Sequence, residues 1–477
     1  MKFWFSVGLA VSVAVAFGVG SVAVGPSALA AEATAAEATV RFATFNASLN
    51  RNALGSLLED LTAGAPNSAV VDYRKRYPGR SEIAGLSEQQ RRVLQIHNVA
   101  EIIQRIDPAV LLVNEFDFDD NGVAGSSSVA KPYTYSSKAA HLLQDNFLDV
   151  AHGGGTTGRS ETAPVQYPYR YTPPTNTGIG SGLDFDNNGS IGGTGDAFGF
   201  GVFPGQYGFT IYSKYPIKSV RSFQNFLWKD MPGNLLTNDP TADAAGNLAN
   251  FFSPEEINAL RLPSKNHVDV TIDINGNEVH FLAAHPTPPI ATGPEARNAK
   301  HNHDEIRFWS DYITGGATAA YIYDDQGGRG GLDPGGLDPG AIFVIAGDYN
   351  ADPNDGDSYE FSIRPLLANP AVNTLTTPAS EGGIGAATDP DNNGTANAKH
   401  VSDPKYDTAD FSDAGPGNLR VDYVLPSANV SIKDSGVFWP AADAAERPLV
   451  GEFNQPDLFS GLPSSDHKAV YVDVVIP

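Results

Sequence analysis

Cysteine is absent from all 477 residues. That excludes a disulfide scaffold, a thiolate zinc site, an iron–sulfur cluster and a cysteine nucleophile. Basic side chains are scarce: 31 Lys and Arg face 55 Asp and Glu, a formal net charge of -24. Holding duplex DNA needs a basic face to neutralise phosphates, so no stable duplex binding is expected. Beyond the first thirty residues there is no long apolar run, so the mature chain is expected to carry no transmembrane span. Glycine and proline are plentiful, at 49 and 34 residues, which predicts long loops. The apolar fraction of 41% is still enough for a large core.

The N-terminus reads as an address. Lys2 precedes an apolar stretch over residues 3–24, followed by Pro26-Ser27-Ala28-Leu29-Ala30. A charged start, an apolar run and A-x-A read as a secretory signal cut after Ala30; the alternative is a retained membrane anchor, since the run approaches the length of a bilayer span. Residues 31–39 then form a small-residue linker, and 40–477 one domain with loop insertions. The expected location is secreted: extracellular or periplasmic. An exported chain without cysteine needs another source of stability, and bound calcium is one.

Residues 40–46 alternate as a strand does. Apolar residues Val93, Ile96, Val99, Ile102, Ile103 and Ile106 recur at helical spacing after Ser87, an N-cap with Gln90 three residues on, and Pro108 stops the helix. The run 109–115 reads as a buried strand. Strands are expected at 207–213, 217–223, 267–274 and 278–284, the last two joined by Asn275-Gly276, a strong hairpin signal. A helix is expected over 301–313, and strands over 342–346, 420–425 and 469–476. Gly/Pro-rich stretches at 116–136, 153–205, 225–265, 314–340 and 376–418 read as insertions. Interleaved strands, hairpins and helices suggest an α/β (α+β) layered sandwich.

Six of these segments end in, contain or adjoin a group that is costly to bury without a partner: Asn46, Asn114-Glu115, His285, Asp348 with Asn350, Asp422, and Ser465-Asp466-His467. Any one alone reads as a strand-end cap or turn. In this order, and with Gly347-Asp348-Tyr349-Asn350 and Ser465-Asp466-His467 near the end, the set resembles the endonuclease/exonuclease/phosphatase superfamily of metal-dependent phosphoesterases. The resemblance spans about residues 40 to 477. It implies a four-layer sandwich of two mostly antiparallel β-sheets packed face to face with helices outside. It also implies hydrolysis of a phosphodiester or phosphomonoester by metal-assisted attack of water. By that resemblance, Glu115 binds Mg²⁺ (or Mn²⁺) with Asn46 and Asp466 close by. Asp348 orients or deprotonates water, Asn350 holds a phosphate oxygen, and His467 contacts the phosphoryl group with Asp422 behind it. His285 matches the deoxyribonuclease and sphingomyelinase branches. Two positions depart from the pattern: Asn114 stands where many members have Gln, and Ser48 where some have Asp, which weakens a second metal. Small organic phosphates, nucleic acid fragments and phospholipid headgroups all remain as substrates. Arg297, His301, Asn302 and His303 open the next helix, where they either meet the substrate or serve as ordinary surface and capping residues.

Three acidic loops repeat D-x-D-x-N-G: Asp117, Asp119 and Asn121; Asp184, Asp186 and Asn188; Asp389, Asp391 and Asn393. Alternate oxygens in a tight loop suit Ca²⁺, with Gly permitting the turn. The twelfth position is Ser128, Gly195 or His400 instead of Glu, so none is a complete EF-hand, and a solvated Asx/Gly turn is the plain alternative. Phe198, Phe200, Phe203, Tyr207 and Phe209 read as core, or as the wall of an apolar pocket. The competing functional reading is a calcium-loaded extracellular binding or adhesive protein that keeps the fold without turnover.

Overall fold

Side chains on a strand alternate between its two faces, and here the alternation separates two layers of core. A computed structural model describes residues 37–65, 85–119, 137–155, 157–237, 251–290, 293, 295–326, 335–388, 395–451 and 463–477. The signal segment, Asn121, and Asp389, Asp391 and Asn393 lie outside the described residues. The strands in chain order are β1 Ala38–Leu49, β2 Val110–Phe116, β3 Tyr169–Tyr171, β4 Phe209–Ser213, β5 Ile217–Ser222, β6 His267–Ile274, β7 Asn277–Ala284, β8 Ile342–Asp348, β9 Asp422–Pro426, β10 Ser431–Val437 and β11 Val470–Ile476. They form a six-stranded sheet, β10-β11-β1-β2-β4-β3, and a five-stranded sheet, β5-β6-β7-β8-β9. Only β1–β2 and β7–β8 are parallel; the other neighbours are antiparallel.

The sheets pack face to face through β1 and β2 against β8, and β1 and β11 against β9. Val279, Phe281 and Ala283 of β7, with Val344 and Ala346 of β8, join the inter-sheet core. The alternate residues Leu282, Ala284, Phe343 and Ile345 turn outward to Ile306, Phe308, Trp309 and Tyr312 of the helix Arg297–Thr314. Phe42 and Phe281 meet across the two sheets with ring centroids 6.1 Å apart. The helix Glu88–Ile106 covers the first sheet, with Val93, Ile96, Val99 and Ile103 in its core. It starts as the sequence predicts. Ser87 Oγ accepts from Gln90 N–H and Gln90 Oε1 accepts from Ser87 N–H, a reciprocal cap of about 1 kcal/mol. The architecture is the layered sandwich expected.

Three differences have local causes. Strand β9 starts at Asp422, not 420: Arg420 N–H is turned to the Asp352 carboxylate, and Val421 keeps one backbone bond to Tyr349 while its N–H goes to Thr408 Oγ1. The helix expected over 301–313 begins a turn earlier, at Arg297, after Ala296 in the left-handed region with no side-chain cap. Strand β10 lies at the edge of its sheet, and its largely exposed Ser-Ile-Lys-Asp-Ser-Gly-Val sequence carries no buried-strand signal.

Candidate active site

Topology gathers the polar strand ends at one edge of the sandwich. Parallel pairing puts the C-terminal ends of β1 and β2 side by side, with Asn46 in register with Asn114. The same holds for β7 and β8. Antiparallel neighbours bring their starts to that edge: Asp422 of β9 opposes Asp348, and β11 begins where β1 ends, with Val470 opposite Thr44. Asn46, Glu115, His285, Asp348, Asp422, Asp466 and His467 therefore reach one place although hundreds of residues separate them in sequence.

The site lies on the seam between the sheets. Asn46 Nδ2 donates to Asp348 Oδ2 at 3.0 Å, tying the first sheet to the second. His467 Nδ1 pairs with Asp422 Oδ2 at 2.9 Å, and its Nε2 lies 3.6 Å from Asp348 Oδ2. His285 Nε2 is 3.3 Å from the same oxygen. Asn350 N–H donates to Asp348 Oδ1 at 2.9 Å, while its side-chain amide donates to Pro286 O at 3.1 Å. Asp466 Oδ1 accepts from Ser48 Oγ at 3.2 Å, and Ser465 Oγ donates to Asn46 O at 2.7 Å. Thr408, which the sequence did not flag, donates its hydroxyl to Asp422 Oδ2 at 2.8 Å and takes the N–H groups of Val421 and Asp422.

Three strand ends here are strained. Ser48, Glu115 and Asn350 have φ of 48°, 55° and 50°, a left-handed conformation that costs a residue with Cβ roughly 1–2 kcal/mol. Such strain gathers where a surrounding structure fixes functional groups. Gly347 has a different reason: a Cβ there would lie 2.0 Å from Ala284 O, so only glycine lets β8 run this close to β7.

The charges divide into distinct states. Burial disfavours a charge on His467, but Asp422 and Asp348 outweigh it and hold the imidazolium well above the ordinary histidine range. Burial also opposes charge on Asp348, but His467 and His285 prevail and keep it ionised far below the usual carboxylate range. His285 is pushed down to about 4, first by burial and then by the nearby charge of Lys265, so it is neutral at pH 7. Glu115 is pushed up to about 7, by burial and then by the charge of Asp466.

Glu115 and Asp466 form an oxygen-only pair whose mutual repulsion a cation would relieve. With Asn46 alongside, this donor set fits Mg²⁺, which binds through one or two carboxylates and keeps several waters. Asp348, Asp422 and His467 also present donor atoms within 4.8 Å of one another. There the imidazolium already supplies the positive charge between the two carboxylates.

The site opens into a cleft of about 960 Å³. Arg297 lines it and donates to Phe185 O and Gly195 O. His301 lines it too, but its ring stacks on Trp228 at 4.5 Å and its Nε2 meets Leu262 O. Asn302 braces the fold: its amide donates to Thr287 O and Tyr349 O, and Ser362 Oγ donates to its Oδ1. His303 pairs with Asp304 next to it in sequence. Of the acidic loops, Asp117 accepts the N–H groups of Arg51 and Tyr207, and Asp119 that of Ala139. Asp184 and Asp186 converge with Asp196, their donor oxygens within 4.8 Å of one another. Asp196 follows the Gly195 position by one residue, outside the D-x-D-x-N-G spacing. Of the aromatic stretch, Phe198, Phe200 and Tyr207 line the cleft, whereas Phe209 is core.

The sequence matches the model of the Endonuclease/Exonuclease/phosphatase family over residues 43–467. The chain belongs to that family. Solved structures similar to it include an endonuclease/exonuclease/phosphatase from Beutenbergia cavernae, at 15% identity and TM-score 0.42, covering 92% of this chain and 72% of that one. A mannosyl-6-phosphatase from Bacteroides thetaiotaomicron is 11% identical at TM-score 0.37, over 92% and 100% of the two chains. Sphingomyelinase C from Streptomyces griseocarneus is 14% identical at TM-score 0.36, over 91% and 99%. No curated protein sequence matches the chain.

Proposed function

We propose that this protein is a secreted, magnesium-dependent phosphoesterase. The observation that carries the reading is the placement of His467, 2.9 Å from Asp422 and 3.6 Å from Asp348, beside the carboxylates of Glu115 and Asp466. Mg²⁺ held by Glu115 and Asp466, with Asn46 close by, would neutralise phosphoryl oxygens. Asp348 accepts a hydrogen bond from the attacking water. A carboxylate held so far below its usual range is a weak base, so its first task is orientation, and it takes the proton only as the water bonds to phosphorus. As the bond from phosphorus to the leaving oxygen breaks, the His467 imidazolium gives that oxygen its proton, and the proton taken by Asp348 later restores the imidazolium through solvent. Neutral His285 and the Asn350 amide face the phosphoryl group from the second sheet. The excess acid of the surface disfavours duplex DNA and leaves small organic phosphates, nucleic acid fragments and phospholipid headgroups as substrates. The same polar set argues against a binding protein without turnover. The secretory reading rests on residues 1–30.

The decisive assay is hydrolysis of bis-p-nitrophenyl phosphate and of p-nitrophenyl phosphate. Magnesium-dependent turnover that EDTA abolishes is expected, and the ratio of the two rates separates diester from monoester preference. A folded sample inactive with every divalent ion would overturn the reading. We further propose calcium at Asp184, Asp186 and Asp196, supported by their convergence. Calcium should then raise the melting temperature of an EGTA-treated sample. No shift at millimolar calcium would refute it.

A further inference from the structure

The cleft contains a cation to which the resemblance assigns no role. Lys265 lines it with Glu115, Asp348, His285 and His467. Lys265 is 6% exposed, yet among the described residues its ammonium has no hydrogen-bond acceptor and no carboxylate within ion-pair distance. Lysine is rarely buried unless it is paired. Burial lowers its pKa below the ordinary lysine value, and Glu305, then Asp348 and Glu115, oppose that by attraction. The oxygens of Glu305 are engaged elsewhere: Oε1 accepts from Ser264 N–H at 2.6 Å and Oε2 from Thr287 N–H at 2.7 Å. Those bonds anchor the residue before Lys265 and the loop after His285 to the helix Arg297–Thr314. The ammonium therefore sits on a fixed frame with its charge uncancelled at short range.

The charge of the site indicates what it is for. Asp348, Asp422 and Asp466 act on His467, and Glu115 is repelled by Asp466 and Asp348. Against four carboxylates, one imidazolium and one divalent cation leave a net negative centre, which would repel an incoming phosphate. Lys265 supplies the missing positive charge on the side where His285 stands. We propose that Lys265 is a catalytic residue that donates its ammonium to a non-bridging oxygen of the substrate phosphate. The bond strengthens as charge grows on that oxygen. The catalytic part rests on the phosphoesterase reading; the anion-binding part does not.

The test uses the full chain with Lys265→Met, Lys265→Gln and Lys265→Arg. Two readouts are taken in magnesium: kcat and KM for bis-p-nitrophenyl phosphate, and the affinity for inorganic phosphate by titration calorimetry. Loss of a donor aimed at developing charge lowers kcat by about 10²–10³-fold, so Lys265→Met should lose that much kcat/KM. Its phosphate affinity should fall at least about tenfold, the effect of one charge-assisted hydrogen bond. Lys265→Arg should regain part of both. A methionine or glutamine variant that keeps both quantities within about threefold of wild type overturns the proposal. So does failure of both neutral variants to fold, which would make Lys265 a structural residue. If the wild type hydrolyses no ester, the phosphoesterase reading fails and the phosphate titration alone decides. Absent or unchanged phosphate binding then overturns the inference as well.

Discussion

Alanine in place of His467 is expected to lower kcat/KM by about 10³–10⁴-fold, with the circular dichroism of the folded chain retained. The size follows from two losses. A positioned proton donor contributes typically ~10²–10⁴-fold, and a preorganised charge facing the phosphoryl group adds to it. The imidazolium exists because Asp422 and Asp348 overcome the cost of burying it. Its pH signature follows from the sign of that shift. The required form is protonated, so activity is lost as pH rises through the raised pKa, and this group contributes no loss on the acid side. Asp422→Asn removes the stronger of the two attractions and weakens the 2.9 Å hydrogen bond. The imidazolium pKa must then fall, and the alkaline limb of the rate profile should move to lower pH. Each unit of that movement corresponds to about 1.4 kcal/mol of lost stabilisation. An alkaline limb unmoved in Asp422→Asn, or a His467→Ala enzyme within tenfold of wild type, would remove His467 from the chemistry.

Much of this site is legible in the sequence because a buried strand that ends in Asn, Asp, Glu or His is locally costly and so conspicuous. Asn46, Glu115, Asp348 and Asp422 all stand out in this way. What local pattern does not encode is which strand ends meet. That depends on the two parallel pairs and on the facing of the two sheets, seen only in contacts such as Asn46 to Asp348. Lys265 closes a Gly/Pro-rich stretch that reads as an insertion, and its meaning comes entirely from what lies around it after folding. Glu305 is one acid among several polar residues on an amphipathic helix until its oxygens are seen capping two loops. The D-x-D-x-N-G loops carry the converse lesson. Two copies that look equivalent in sequence differ in the fold: Asp117 and Asp119 accept backbone N–H groups of distant segments, whereas Asp184 and Asp186 accept those of Asn188 and Gly189 in their own loop and gain Asp196 beside them. Short-range spacing specifies a turn, and its tertiary neighbours decide what the turn does.

Glu115→Gln should separate the metal requirement from the rest of the site. The raised pKa of about 7 places Glu115 partly in its protonated form in the metal-free protein at neutral pH. A metal ligand must be ionised, so magnesium binding should release a proton and weaken as pH falls below about 7, by up to about tenfold per unit. Calorimetry in two buffers of different ionisation enthalpy measures that proton directly. Glutamine removes the charge but keeps the shape. Magnesium affinity should fall at least about 10²-fold, the upper range for loss of even an indirect metal partner, its pH dependence should flatten, and activity should fall with it. The stability of the metal-free chain should move the other way. A carboxyl whose folded pKa exceeds its unfolded value contributes stability that is present at low pH and lost as pH rises through the folded pKa. Glutamine cannot ionise and avoids the loss. Glu115 lies deep beneath the surface but keeps part of its area open to the cleft, and solvent there screens part of the shift, so the gain above pH 7 should be about 1–3 kcal/mol. Metal-free Glu115→Gln should therefore melt above metal-free wild type at pH 8 and alongside it near pH 4. Magnesium should reverse the order at pH 8, since only the wild type gains the stabilisation of a bound ion. If magnesium stabilises both proteins equally, the ion is held by residues other than Glu115, and the assignment of the carboxylate pair fails.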